Sequence, residues 1–251
     1  MVRADSPSIV APPFPRKLPW VNVAMLRMDQ QRGNVVLVEF WDFCRVNSLR
    51  TLPYLKAWHE RYADAGLRIV QVHTGGFLPA RSEENVRRAV ERLEIPWPVA
   101  IDTDLEVWDI YGNEGWPARY LWQPSETGHQ LHSLHYGEGA YVETELEIQA
   151  LLDVARDPVS PIRPEEAADA MVATPTPDQP GAYSGPYAAG GVWVVAEGLG
   201  MVTANGVDVA IAEPGCYPVL EHPRHTEGEL ELVVGEGVTA HATCFTLGLA
   251  A

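Results

Sequence analysis

The stretch that most constrains this chain runs from Val35 to Pro53, VVLVEFWDFCRVNSLRTLP. Val35 to Phe40 is apolar and rich in β-branched and aromatic residues, except at Glu39. That is the pattern of a central strand covered on both faces. After a short turn, Val46, Leu49, Leu52 and Leu55 recur at helical spacing, so a helix is expected to open at Cys44–Arg45. Pro53 falls inside that pattern, where it removes a backbone donor and bends the helix. A glutamate inside a buried strand is costly unless it is paired or protonated, which makes Glu39 a functional candidate.

The 251 residues can form one large domain or two modest ones. No apolar run is long enough to cross a membrane as a helix. The proline-rich start, MVRADSPSIVAPPFPRKLPW, has no continuous apolar core of the kind a secretory signal needs, so a cytoplasmic location is expected. The formal net charge is −16, divided as −6 over residues 1–157 and −10 over residues 158–251. Such a balance repels nucleic acid and anionic membrane, and neither is expected as a partner. Three cysteines, Cys44, Cys216 and Cys244, are too few and too odd in number for a disulfide scaffold. Cys216 and Cys244 lie in strand-like runs, as buried free thiols or as a pair. No spacing resembles a metal site, and no cofactor is expected.

Four segments follow along the chain: an extended arm over 1–20, an α/β domain over 21–155, a Pro/Gly-rich linker over 156–190, and an antiparallel β domain over 191–251. In the second segment, LRIVQVH reads as a strand and Ser82 as the cap of a helix reaching about Leu93. A strand over 98–101, a short helix capped by Asp102 or Asp104, a hairpin (ARYLWQ and HQLHSLHY) and a helix over about 142–155 complete it. The linker holds at most one short helix, PEEAADAMV, with Pro164 in its first turn. Beyond it, short alternating runs and the Asn205-Gly206 turn predict a small β-sandwich or partial barrel.

With an acidic residue, Phe-Trp, a short turn and a helix interrupted by proline, residues 39–53 resemble the active-site segment of thioredoxin-fold redox proteins. In that alignment the two cysteines of the family's Cys-x-x-Cys motif fall on Arg45 and Ser48, so the dithiol is missing, and Cys44 stands one residue early. Over most of its length the chain also resembles the soluble portion of DipZ-type thiol:disulfide proteins. The phrases VHTGGF, PVAIDTD, GNEGWPARYL, HYGEGAY and CFTLG carry that likeness. The resemblance implies a thioredoxin-like α/β domain followed by a sandwich similar to a carbohydrate-binding module. It also implies a cis proline at Pro117, after Trp116, facing the site. It casts Glu39 as a buried proton acceptor.

A dithiol works because one thiolate attacks a disulfide and a second resolves the mixed product. Arg45 and Ser48 cannot do this. Cys44, next to Arg45 and a helix start, reads either as a lone nucleophile resolved by an external thiol or as a filler of a neutral position. Arg45 reads as an anion-binding corner or as a surface arginine. Glu39 is a proton acceptor, a vestige, or an ion-pair partner of Arg45 or Arg50. His73 lies at a strand end, where α/β sheets bind ligands, or is structural. Trp41, Phe43 and Trp116 either wall an apolar pocket or pack. His129, His132 and His135 do not share a strand face, and Glu221, His222 and His225 fall in a turn, binding a cation or forming a polar loop.

Two functional readings follow. The first is a single-cysteine, thiol-dependent oxidoreductase using Cys44, with Glu39 and Arg45 beside it, on a peroxide or small disulfide. The second is a non-redox binding protein or repurposed enzyme that holds a small anionic or aromatic molecule among Arg45, Glu39, Trp116 and His73. Trp41, Phe43, Ser48 and Pro117 complete the substrate-facing set in either case. The partner is a small-molecule or thiol substrate, or for the β domain a protein or glycan, and assembly as a homodimer is left open.

Overall fold

The computed structural model describes residues 2–3, 9–126 and 128–250. By its contacts the chain divides into two units, one of Met1–Phe43 and Asn47–Ser160, the other of Cys44–Val46 and Pro161–Ala251.

The first unit is built on a seven-stranded sheet. Its strands are β1 (Val2–Arg3), β2 (Trp20–Val21), β3 (Val35–Trp41), β4 (Leu67–His73), β5 (Val99–Ile101), β6 (Ala118–Ser125) and β7 (Gly128–Tyr136). They lie in the order β1-β7-β6-β3-β4-β5-β2. Strand β3 is central, parallel to β4 and antiparallel to β6, and all seven of its residues are buried. This is what a nearly unbroken apolar run requires. Helices α1 (Val46–Tyr62), α2 (Glu83–Arg92), α3 (Glu106–Tyr111) and α4 (Tyr141–Leu152) connect or follow the strands.

Local chemistry fixes these elements. Ser82 Oγ accepts the Asn85 N–H at 3.4 Å at the start of α2. Of the two aspartates expected at α3 it is Asp102 that caps, accepting the Val107 and Trp108 N–H groups at 3.0 and 2.9 Å. Helix α1 opens at Val46, one residue later than expected, and continues through Pro53 to Tyr62. One core cluster joins Val36, Val38 and Phe40 of β3 to Val70, Val72, Tyr120 and Trp122. Helix α4 carries a buried carboxylate, Glu145, which accepts from Trp58 Nε1 (3.2 Å), Tyr62 OH (2.6 Å) and the Val159 N–H (2.7 Å).

The N-terminal arm is more integrated than an extended strap. Where described, it runs along β7, with the Ala11 N–H donating to the His129 carbonyl and the Leu131 N–H to that of Ile9. Its ends add β1 and β2 to opposite sides of the sheet. Backbone donors on a sheet edge recruit any nearby extended chain. Residues 1 and 4–8 of the expected arm lie outside the described residues.

The second unit is β-rich. Its strands are β8 (Val172–Ala173), β9 (Gln179–Pro180), β10 (Gly185–Gly198), β11 (Gly200–Ala204), β12 (Val207–Ile211), β13 (Gly215–Leu230), β14 (Leu232–Val234), β15 (Val238–Thr246) and β16 (Gly248–Leu249). They form a four-stranded sheet (β13-β10-β15-β9), a three-stranded sheet (β12-β11-β14) and the pair β16-β8. A second core cluster draws Val192, Val194 and Phe245 from the first of these sheets and Val202, Ala204 and Leu232 from the second. Asn205-Gly206 makes the β11–β12 hairpin, with Asn205 at φ 48° and Gly206 at φ 83°. Those left-handed values are why this dipeptide marks such turns.

Three expectations need correction in this unit. The helix expected over PEEAADAMV is only a 3-10 turn, Pro164–Glu166, ended by extended backbone at Ala167. A segment so short needs an apolar face to bury, and this one lacks it. The stretch expected as a linker, 156–190, also carries β8, β9 and the first residues of β10 from Gly185. Glu221, His222 and His225 lie within strand β13 and not in a turn. There His222 Nε2 meets Tyr187 OH at 2.8 Å.

Candidate functional site at the start of helix α1

The turn after β3 is held closed by hydrogen bonds from three directions. The Asp42 N–H donates to Ser48 Oγ at 3.2 Å, so the hydroxyl that stands at the second motif position ties the turn to α1. The Phe43 N–H donates to His73 Nε2 at 3.3 Å. Asp42 Oδ2 accepts the Gly76 N–H at 2.8 Å, and the Trp41 carbonyl accepts the Thr74 N–H at 3.1 Å. Trp41, Asp42, Phe43 and Thr74 have no exposed surface.

His73 is the hub. Its ring stacks on Phe43 with centroids 5.2 Å apart and meets the edge of Trp41 at the same distance. Since Nε2 accepts a backbone N–H, the ring proton sits on Nδ1. Burial pushes the imidazole down to about 3. Asp42 Oδ1 lies 3.8 Å from Nε2, but with a neutral ring this proximity is not an ion pair at neutral pH. In this arrangement Nε2 of His73 is occupied as a backbone acceptor.

Glu39 has no exposed surface, and burial pushes its carboxyl up to about 8, against the lowering effects of Gln71 and Arg119. Gln71 Nε2 donates to Glu39 Oε2 at 2.5 Å, and Trp97 Nε1 donates to Gln71 Oε1 at 2.8 Å. Arg50, expected as one ion-pair partner of Glu39, is taken by Glu138, both of whose oxygens lie 3.1 Å from Arg50 Nε. Glu39 therefore enters neutral pH largely protonated.

The Trp116–Pro117 peptide bond is cis, as the resemblance implied, and Pro117 is buried at the start of β6. Trp116 packs on Trp108, with centroids 4.4 Å apart, while Trp41 and Phe43 pack on His73. The three aromatics thus belong to two packing groups. An open groove of about 800 Å³ in this unit is lined elsewhere, by Phe14, Met25, Leu26, Met28 and Ile110 among others. Cys44 and Arg45 occupy the turn between β3 and α1; Cys44 is wholly buried and Arg45 partly so.

Gln71, Arg119 and Asp42 belong to the site as well. Each signals itself as Glu39 did, by a polar side chain in or beside an apolar strand, but only register shows that they belong together. The histidines of β7 go separate ways: His129 Nε2 meets the Asn34 carbonyl at 3.1 Å and His135 Nε2 that of Glu138 at 3.0 Å. Among the described residues no group of three or more His, Cys, Asp or Glu side chains could hold a metal ion. Nor is any described helix long and apolar enough to cross a membrane.

A central β3 flanked by parallel β4 and antiparallel β6, a helix leaving the end of β3 and a cis proline opening β6 define a thioredoxin-like fold in the first unit. Solved structures agree: the thioredoxin-like superfamily protein SPOA0173 superposes with a TM-score of 0.52 at 18% identity, over 59% of this chain and 99% of that one. In sequence, the chain is 32% identical over 162 residues to Protein DipZ of Mycobacterium bovis. That match covers 63% of this chain and 22% of DipZ, so the chain spans about a fifth of that relative. It is also 27% identical over 95 residues to the thiol-disulfide oxidoreductase ResA of Geobacillus thermodenitrificans, covering 38% of this chain and 52% of ResA. No protein-family model matches the chain.

Proposed function

We propose that this protein is a thiol-dependent oxidoreductase working through a single cysteine, Cys44, on a peroxide or a small disulfide. The observation that carries this reading is Glu39. A wholly buried carboxyl held near pH 8, on the strand that leads into the motif, is expensive to keep, and proton transfer to or from a thiol is the use that repays it. Relatives support the class, since ResA is by name a thiol-disulfide oxidoreductase. With a disulfide substrate, the Cys44 thiolate attacks one sulfur, a mixed disulfide forms and the other half leaves as a thiolate. A low-molecular-weight thiol then attacks the mixed disulfide and regenerates Cys44. With a peroxide, Cys44 is oxidised to a sulfenic acid as the O–O bond breaks, and two thiols reduce it in turn with loss of water.

The test is turnover with an external thiol, together with iodoacetamide labelling at neutral pH. Cys44 is wholly buried, so its labelling reads both thiol reactivity and opening of the turn; it is expected to label ahead of Cys216 and Cys244, and Cys44→Ser to abolish turnover. A Cys44 that labels no faster than the other two, or a fully active Cys44→Ser, would reject the proposal.

A second reading rests on Ser48, whose hydroxyl at the resolving position is spent on the Asp42 N–H. In it the scaffold has left redox chemistry and binds a small anionic or aromatic molecule using Arg45, with Glu39, Trp116 and His73. Ligand binding retained in Cys44→Ser and lost in Arg45→Ala would favour it. For the second unit we propose a sandwich akin to a carbohydrate-binding module that docks a glycan or a protein partner, in a cytoplasmic protein. Glycan-array binding by the full chain tests the glycan part.

A further inference from the structure

A row of polar side chains crosses the first unit's sheet. Glu39 on β3 is in register with Gln71 on β4 and with Arg119 on β6, and Arg119 is in register with His135 on β7. Residues directly opposite on paired strands share a face, so these four stand in one line. The row is bonded at one end through Trp97, Gln71 and Glu39, and at the other through His135 and the Glu138 carbonyl. It is broken in the middle. Glu39 Oε1 has no hydrogen-bond partner, and neither do Arg119 Nε and Nη1, although both side chains are buried. Arg119 instead donates through Nη2 to the Gly139 carbonyl, and its guanidinium lies over the rings of Tyr141 (5.0 Å) and Trp58 (5.8 Å).

We propose that Arg119 is a two-position cation: it rests on Gly139, Tyr141 and Trp58 while Glu39 is neutral, and it turns to pair with the Glu39 carboxylate when that proton is lost. A buried carboxylate without a counter-ion is strongly unfavourable, whereas a neutral carboxyl needs none. Directly opposite Cβ atoms are about 5 Å apart, well within the reach of an arginine. Burial lowers the Arg119 guanidinium from its ordinary value, but that value lies so far above the window in which Glu39 titrates that the cation persists there, and only Glu39 has to titrate.

The move has a structural consequence. Gly139 sits in the turn before α4, and the neighbouring Glu138 holds Arg50 of α1. Releasing the Gly139 carbonyl loosens the turn that ties down α1, so the protonation of Glu39 is transmitted to that helix. Other charges facing Arg119 are Glu138 from the turn and Glu143 from α4, along with the Tyr141 phenol. His135, which burial and then Arg119 hold below its usual range, is neutral where Glu39 titrates. Gln71 and Trp97 on the far side of Glu39 carry no titrating group in this range.

The experiment is NMR of the full chain between pH 6 and about 10, following the Glu39 carboxyl carbon and the Arg119 Nε–H. In the wild type both signals are expected to move with one midpoint near pH 8. The Arg119 movement should vanish in Glu39→Gln, and Arg119→Met should raise the Glu39 midpoint by about one unit or more. An Arg119 signal that ignores the Glu39 titration overturns the proposal, and so does an unchanged midpoint in Arg119→Met. The first comparison needs no Arg119 variant, so it decides the matter even if Arg119→Met fails to fold.

Discussion

Glu39 and Arg119 face each other across the β3–β6 register, yet the carboxyl bonds to Gln71 and the guanidinium to the Gly139 carbonyl. An acid and a base so placed would pair in water-accessible surroundings. Here burial keeps the acid protonated, and the base settles on a carbonyl and two aromatic faces.

Glu39 makes stability depend on pH in a defined direction. Its folded-state value is raised to about 8 from 4.5, so the native state binds a proton that the unfolded chain has released between those limits. The benefit is complete below about pH 4.5 and is lost as pH rises through 8. Subtracting the urea stability profile of Glu39→Gln from that of wild type should leave a fall of several kcal/mol, in order of magnitude, across this window. A flat difference profile would show that Glu39 is not held protonated.

His73 acts with the opposite sign. Its folded value is lowered to about 3 from 6.5, so the unfolded chain binds the extra proton in between. The stability it gives is complete above about 6.5 and is lost as pH falls toward 3. The profile of wild type minus His73→Asn should therefore decline on acidification over that window. A decline that survives in His73→Asn would place its origin in other groups.

Glu145 is a buried carboxylate of the first unit that accepts from Trp58, Tyr62 and the Val159 backbone. Glu145→Ala leaves three donors without an acceptor and should cost about 3 kcal/mol or more in chemical denaturation. Glu145→Gln, which retains one acceptor oxygen, should cost less. Equal losses would mean that packing, and not the hydrogen bonds, carries the effect.

Cys216 and Cys244 should stay reduced under mild oxidation. They are in register with Val195 and Trp193 of β10, from β13 on one side and β15 on the other. Two interstrand spacings alone separate them by about 9–10 Å, and the two-residue offset along β10 adds to that, so they lie beyond the reach of a disulfide. Intact-mass measurement of the oxidised chain should show no loss of two hydrogens between them. An internal 216–244 crosslink in a peptide digest would refute this register.

The closure of the turn at Phe43 is testable through Ser48. Ser48→Ala removes the acceptor of the buried Asp42 N–H and should lower stability by about 1 kcal/mol, read from the denaturation midpoint. Amide exchange at Asp42 should quicken in the variant, while exchange within β4 stays as it was.

Much of the fold was legible in the chain itself. The apolar run Val35–Phe40, the Ser82 cap, the aspartate before α3 and the Asn205-Gly206 turn each act within a few residues, so local composition reveals them. Glu39 as the odd polar residue of its strand and the absence of thiols at 45 and 48 were equally visible, whereas the cis proline was expected only through the family resemblance. What the side chains do at the site could not be read that way. His73 as an acceptor for Phe43, Arg50 held by Glu138 and the line from Gln71 through Glu39 to Arg119 all join residues far apart in sequence. Periodicity reports which face a residue takes, whereas hydrogen-bond partners and shifted protonation depend on which strands lie side by side and how deeply they are buried; those were decided only when the sheet assembled.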